Sequence, residues 1–217
     1  FPNMMFYQSE ANASMMGPNY FEMNLDKVIG LAYWGMIDYL GESNGWPAKG
    51  WTNGAFDISL EPKPVAYLLK SMFTDEPTVH IGVIDDANSN MVWNDVQVGT
   101  ARMSENWNRK PGKVSLYTYT NAEEVELVVN GRSVGVKRNE VDNAKNRDKI
   151  KWDGIDYQPG YIEAIARTGG KTVARHKIET YGKAVALKWN RTITTGMPTA
   201  WTCSIYVYMR WMQKGDG

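Results

Sequence analysis

The dipeptide Asn130-Gly131 stands between two alternating runs, EVELVV before it and RSVGVKR after it. Few features constrain a chain more tightly, because the pair accepts the positive φ of a type I′ turn while the flanking period-two pattern sets the register of an antiparallel hairpin. Val125, Leu127 and Val129 form its apolar face. The same period persists from about Val79 to Lys188, through KVSLYTYT, GYIEAIAR and, after Gly169-Gly170, KTVARHKIE. Short strands joined by short turns predict an immunoglobulin-like β-sandwich over 79–188.

Upstream, over 1–78, the pattern is different. Met4 to Tyr7 is a short apolar run, and Phe21, Leu25 and Val28 fall at the spacing of one helix face. The stretch VIGLAYWGMIDYLGE, Val28 to Glu42, is almost continuously apolar but carries Gly30, Gly35 and Gly41. So many glycines disfavour a helix and predict a strand buried on both faces. Pro64 then opens KPVAYLLKSMF, whose Val65, Leu68, Leu69 and Met72 make one stripe. Strand, helix, strand, helix predicts parallel pairing.

Lys plus Arg equals Asp plus Glu, 24 each, so composition offers no basic field, and no nucleic acid or other polyanion partner is expected. Cys203 is the single cysteine, which excludes a disulfide framework or a cysteine zinc site within the chain; His80 and His176 lie far apart in sequence. No metal and no cofactor are expected. No apolar run approaches the ~20 residues a bilayer requires, so no membrane span is expected. The first residue, Phe1, is not methionine and no leader pattern follows, which reads as the interior of a longer polypeptide.

In FYQSEANAS, Glu10 leaves an apolar run where a buried strand is expected to end. Such a glutamate is usually a solvated loop residue, but in a (β/α)8 barrel reactive side chains project from the C-terminal ends of the parallel strands. FYQSEANAS, VIGLAYWGMIDYLGESNGWPAKGW and LEPKPVAYLLKSMF resemble, in order and spacing, the closing part of the catalytic barrel of glycoside hydrolase family 2, the β-galactosidase and β-glucuronidase group. The resemblance implies a partial (β/α)8 TIM barrel, its last two strand-helix units, followed by the immunoglobulin-like sandwich.

It also implies that Glu10 is the nucleophile of a retaining β-glycosidase acting on carbohydrate. Trp34 is implied to be a platform for a sugar ring, with a barrel-core tryptophan as the alternative. Trp46, Lys49 and Trp51 would rim the pocket, and Asp38, Tyr39 and Glu42 would serve fold closure or anchor the loop rather than take part in chemistry. The family's acid/base follows Asn at the end of a fourth strand, a pattern that neither Glu22 nor Glu42 matches. A periplasmic or extracellular location follows from the resemblance alone. The other reading is a carbohydrate-binding or structural module whose sandwich is the working part; Trp107 and Trp152 are expected in core or interdomain packing rather than as a sugar platform.

Trp189 to Gly217 departs from all of this. It holds three Trp, three Met, five Thr and one acidic residue, without a steady period. A codon choice exists in which one base restored after Lys188 turns the segment into VEPDNNNWHADGMDLQ and then HICVHAVDAKGR, patterns similar to the family's continuation. The expectation is a frame-shifted tail over 189–217, poorly packed and prone to aggregate.

Overall fold

The computed structural model describes residues 3–12, 20–23, 25–42, 50–85, 92–93, 96–97, 103–192 and 202–209. Two strands, β1 (Phe6–Asn12) and β2 (Val28–Trp34), pair in parallel, as the alternation predicts. The helix expected on Phe21, Leu25 and Val28 does not form. A single 3-10 turn, Tyr20–Glu22, takes its place, and Val28 opens β2. Three apolar residues do not offset the cost of nucleating a helix. Phe21 instead packs edge-on to Tyr20 and stacks with Phe73, while the Arg147 guanidinium lies 3.7 Å from its ring centre.

Val28 to Glu42 is not one strand either. Gly35 adopts φ +60° and ends β2; β3 (Tyr39–Leu40) then pairs antiparallel with β4 (Gly50–Trp51). A Cβ on Gly35 would lie 2.5 Å from the Trp51 indole nitrogen, so the close approach needs glycine. Nor is β2 buried on both faces: Ile29 is 65% exposed and Trp34 50%. Among the described residues β2 has one ladder partner, β1. Its Tyr33 packs into a small cluster with Ala55, Val65 and Leu69. The helix behind that cluster, α1 (Pro64–Phe73), has Pro64 in its first turn and buries Val65, Leu68, Leu69 and Met72, the stripe read from sequence.

The remainder is β. The strands β5 (Val79–Ile84), β6 (Val92–Trp93), β7 (Val96–Gln97), β8 (Met103–Ser104), β9 (Lys113–Thr120) and β10 (Glu124–Val129) come first. They are followed by β11 (Arg132–Arg138), β12 (Lys149–Asp156), β13 (Tyr161–Thr168), β14 (Lys171–Glu179), β15 (Ala184–Thr192) and β16 (Thr202–Met209). Two antiparallel four-stranded sheets, β11-β10-β13-β14 and β12-β9-β5-β8, enclose one core. Ile81, Leu116, Leu127, Ile162 and Trp107 are fully buried in it, and Trp152 is 3% exposed. Asn130 at φ 47° and Gly131 at φ 81° close the β10-β11 hairpin as the dipeptide demands, and Gly169 and Gly170 close β13-β14 in the same way. β6 pairs with β7, and β15 pairs with β16 through Thr192↔Thr202 back to Ala184↔Met209, a ladder spanning the Lys188-Trp189 boundary.

At the end of β11, Asn139 is 8% exposed and its amide donates to the carbonyls of Thr120 and Ala122 and to Asp148, whose backbone N–H donates back to the Asn139 Oδ1 at 2.8 Å. Removing the amide would orphan several buried groups at once. Asn139→Ala is expected to cost about 2–3 kcal/mol, read as a lower urea midpoint with an unchanged slope.

Both histidines of the chain meet where α1 packs on the sandwich. Tyr67, His80 and His176 form a column with ring centres 3.5 Å and 3.9 Å apart, and His80 also contacts Glu105. His176 Nδ1 accepts the Ile81 N–H at 3.0 Å and must be unprotonated to do so. Burial, and then the neighbouring His80, push its pKa down to about 4. The unfolded chain would bind this proton near pH 6.5, so folding is undisturbed above that value and weakens as the pH falls toward 4. With partial exposure allowed for, the loss is about 2 kcal/mol. Chemical denaturation at several pH values checks it: His176→Gln, which cannot titrate, should flatten the slope between pH 6.5 and 4.

Candidate active site

Glu10 owes its position to an irregularity in β1. The register pairs Gln8 with Leu31 and next Ala11 with Tyr33, so Ser9 and Glu10 together stand opposite Ala32. An inserted residue of this kind bends a strand and re-aims its side chains, here just before the strand's C-terminal end. Both residues are exposed, and Gln8 Nε2 donates to the Glu10 carbonyl at 3.1 Å, which steadies the bulge.

The neighbouring strand ends level with it, Asn12 opposite Trp34. The Trp34 indole N–H donates to the Tyr39 hydroxyl at 3.3 Å, and that hydroxyl donates to Glu42 Oε2. The Tyr39 pKa is raised, first by the hydrogen bond to Glu42, then by burial, with the charges of Glu42 and Glu10 adding to it. The register sets Glu10 two residues before the end of β1 and Trp34 at the end of β2, and Tyr39 and Glu42 follow from Trp34 by hydrogen bonds, so all four lie toward one end of the strand pair. Trp34 keeps half its surface open there.

A loop tied by hydrogen bonds backs this group. Asp38 accepts from the Gly54 N–H at 2.9 Å and from Lys63 Nζ at 2.6 Å, and Lys63 reaches the Thr52 carbonyl as well. Backbone bonds Asp38 N–H to Phe56 O and Phe56 N–H to Met36 O complete the clasp. It holds Trp51 against Tyr39, rings 6.5 Å apart and 18° from parallel. Trp51 is therefore packed into the loop, and Trp46 and Lys49 lie outside the described residues. Sequence reasoning named Asp38 and Tyr39 as loop anchors but missed Lys63 as the Asp38 partner and Tyr39 as the bridge from Trp34 to Glu42. Pairs 25 and 5 residues apart leave no local pattern to find. Among the described residues, no group of three or more His, Cys, Asp or Glu is placed to hold a metal ion.

An open carboxylate beside an exposed indole face suits a ligand with a polar edge and an apolar flat side. Residues 111–174, within the sandwich, match a family model described as "Domain of unknown function (DUF4982)". Over 167 residues, 75% of this chain and 16% of the relative, the sequence is 34% identical to the β-galactosidase BoGH2A of Bacteroides ovatus. A putative β-glucuronidase of Formosa agariphila is 26% identical over 163 residues, 71% of this chain and 13% of that protein. A crystal structure of a glycosyl hydrolase family 2 member from Bacteroides cellulosilyticus superposes with a TM-score of 0.70 at 27% identity, covering 88% of this chain and 24% of that one.

The chain resembles glycoside hydrolase family 2 proteins over most of its own length. It spans 16% and 13% of the length of these two curated relatives. Its mostly β architecture, with one α-helix among the described residues, matches domains of the family 2 structure. No helix among the described residues is long and apolar enough to cross a membrane.

Proposed function

We propose that this chain contributes the closing strand-helix part of a (β/α)8 barrel to a retaining β-glycosidase and that Glu10 is its nucleophile. The observation that carries the reading is the bulge that presents Glu10 at the C-terminal end of a parallel strand whose partner ends in Trp34. The ionised Glu10 carboxylate attacks the anomeric carbon, the bond to the leaving oxygen breaks, and a second carboxyl about 5–5.5 Å away gives that oxygen its proton. Water, deprotonated by the same second group, then releases the sugar from Glu10. Trp34 offers its indole face to the apolar side of the pyranose. The Tyr39 phenol, with its pKa raised, stays protonated as a hydrogen-bond donor.

The acid/base is assigned to a part of the enzyme that this chain does not match, since Glu22 and Glu42 lack the Asn-Glu pattern. The chain on its own is expected to be inactive. A terminal β-galactoside is the proposed substrate, in line with the relative at 34% identity; a β-glucuronide is the second reading, in line with the other relative's description. The span 189–217 is proposed to be a frame-shifted tail, and resequencing the gene decides it. The test of the site is labelling of the full-length enzyme with a 2-deoxy-2-fluoro-β-galactosyl fluoride. The fluorosugar should remain on the peptide containing Glu10; a label on any other residue removes the assignment.

A further inference from the structure

At one edge of the sandwich the end of β11, the 139–148 loop and the start of β12 enclose an open groove of about 680 Å3 over Tyr117 of β9. That volume lies within the range of small-ligand sites, about 300–1,000 Å3. Five cations line it, Lys137, Arg138, Lys145, Lys149 and Lys151, against one carboxylate, Glu140. Glu140 Oε2 is already taken by the side-chain amides of Asn143 and Asn146, at 3.0 and 2.8 Å. Lys151 is paired with Asp153 and Lys149 lies in the field of Glu22, but Arg138 and Lys145 have no carboxylate within ion-pair distance among the described residues. Lys137 is held by neutral partners, the Lys151 carbonyl at 2.7 Å and the Trp152 ring at 5.0 Å. Burial, with the nearby charge of Lys145, holds the Lys149 pKa below its usual value. A bound anion would offset the crowding of like charge and favour the charged form of Lys149.

We propose that this groove binds an anionic oligosaccharide, one that bears carboxylate or sulfate groups. Arg138 and Lys145 supply the unpaired charge, Lys149 the inner cation, and the Tyr117 ring a flat surface for a sugar face. The choice of a glycan over another polyanion rests on the glycosidase reading, and on the groove being short and concave where a duplex needs an extended basic stripe. The binding itself involves neither Glu10 nor turnover, so its failure leaves that reading standing.

The test is calorimetric titration of the full chain, at about 50 mM NaCl, with tetragalacturonate, a heparin-derived tetrasaccharide, galactotetraose and a short DNA duplex. One or both charged glycans should bind with Kd below about 1 mM, and galactotetraose at least about tenfold more weakly. Raising salt to about 500 mM should weaken binding about tenfold. The double variant Arg138→Glu with Lys145→Glu should weaken it at least tenfold, and the milder Arg138→Gln with Lys145→Gln severalfold, while Lys171→Glu on exposed β14 changes nothing. Tetragalacturonate alone assigns carboxylate, heparin alone assigns sulfate, and both assign the shared charge. Binding of neither charged glycan, equal affinity for galactotetraose, tighter binding of the duplex, or indifference to both double variants overturns the proposal.

Discussion

Glu10→Gln in the full-length enzyme is expected to lower kcat for an aryl β-galactoside by about 10³–10⁴-fold with no change in thermal stability. The size follows from the proposed chemistry. An amide has neither the charge nor the nucleophilic oxygen to form a glycosyl-enzyme, so the covalent route closes and only binding and general acid assistance remain. Stability should not move, because the side chain is exposed at the strand end. A smaller side chain adds a stereochemical check. With Glu10→Ala, azide can enter the vacated space and attack from the same face, restoring turnover and giving the α-glycosyl azide. A β-azide product would move Glu10 to the acid/base role, and an unimpaired Glu10→Gln enzyme would remove it from the chemistry.

The largest stability effect is expected at Trp107. Its side chain is fully buried between the sheets, its indole N–H donates to the Gln158 carbonyl at 2.9 Å, and Tyr157 meets it edge-on with ring centres 5.3 Å apart. Its backbone N–H is bonded to the Glu179 carbonyl, so the residue also ties the 105–112 segment to the end of β14. Trp107→Ala leaves a cavity and removes the hydrogen bond to the Gln158 carbonyl, a cost of about 4 kcal/mol. That is a large share of the 5–15 kcal/mol of a typical domain. Trp107→Phe keeps much of the packing but still loses the bond to Gln158 O, and should cost roughly half as much. Urea unfolding of the chain and its two variants orders them; an alanine variant within about 1 kcal/mol of the parent would mean the site collapses without a void.

Legibility followed the range of the interactions involved. The hairpin at Asn130-Gly131, the turn at Gly169-Gly170 and the α1 stripe are local, set by φ preference and side-chain period, and all three stand in the structure. The failures lie where a local pattern was too short or a distant neighbour decided. Phe21, Leu25 and Val28 hold a helical spacing for fewer than three turns, and aromatic packing with Phe73 and Arg147 prevailed. The run from Val28 to Glu42 looked uniform, yet Gly35 broke it because Trp51 comes to rest against its Cα.

The chain's sequence, read alone, determined the alternation of its strands, the positions of its tight turns and its family resemblance, since each depends on residues a few positions apart. Only the tertiary structure decided that Trp34, Tyr39 and Glu42 share one end of the strand pair with Glu10, that Lys63 serves Asp38, and that five cations crowd one groove of a chain with no net charge. A sum over composition contains no distances, whereas hydrogen bonds and Coulomb energies depend on little else, and distance between remote residues is set by how the sheets close on each other.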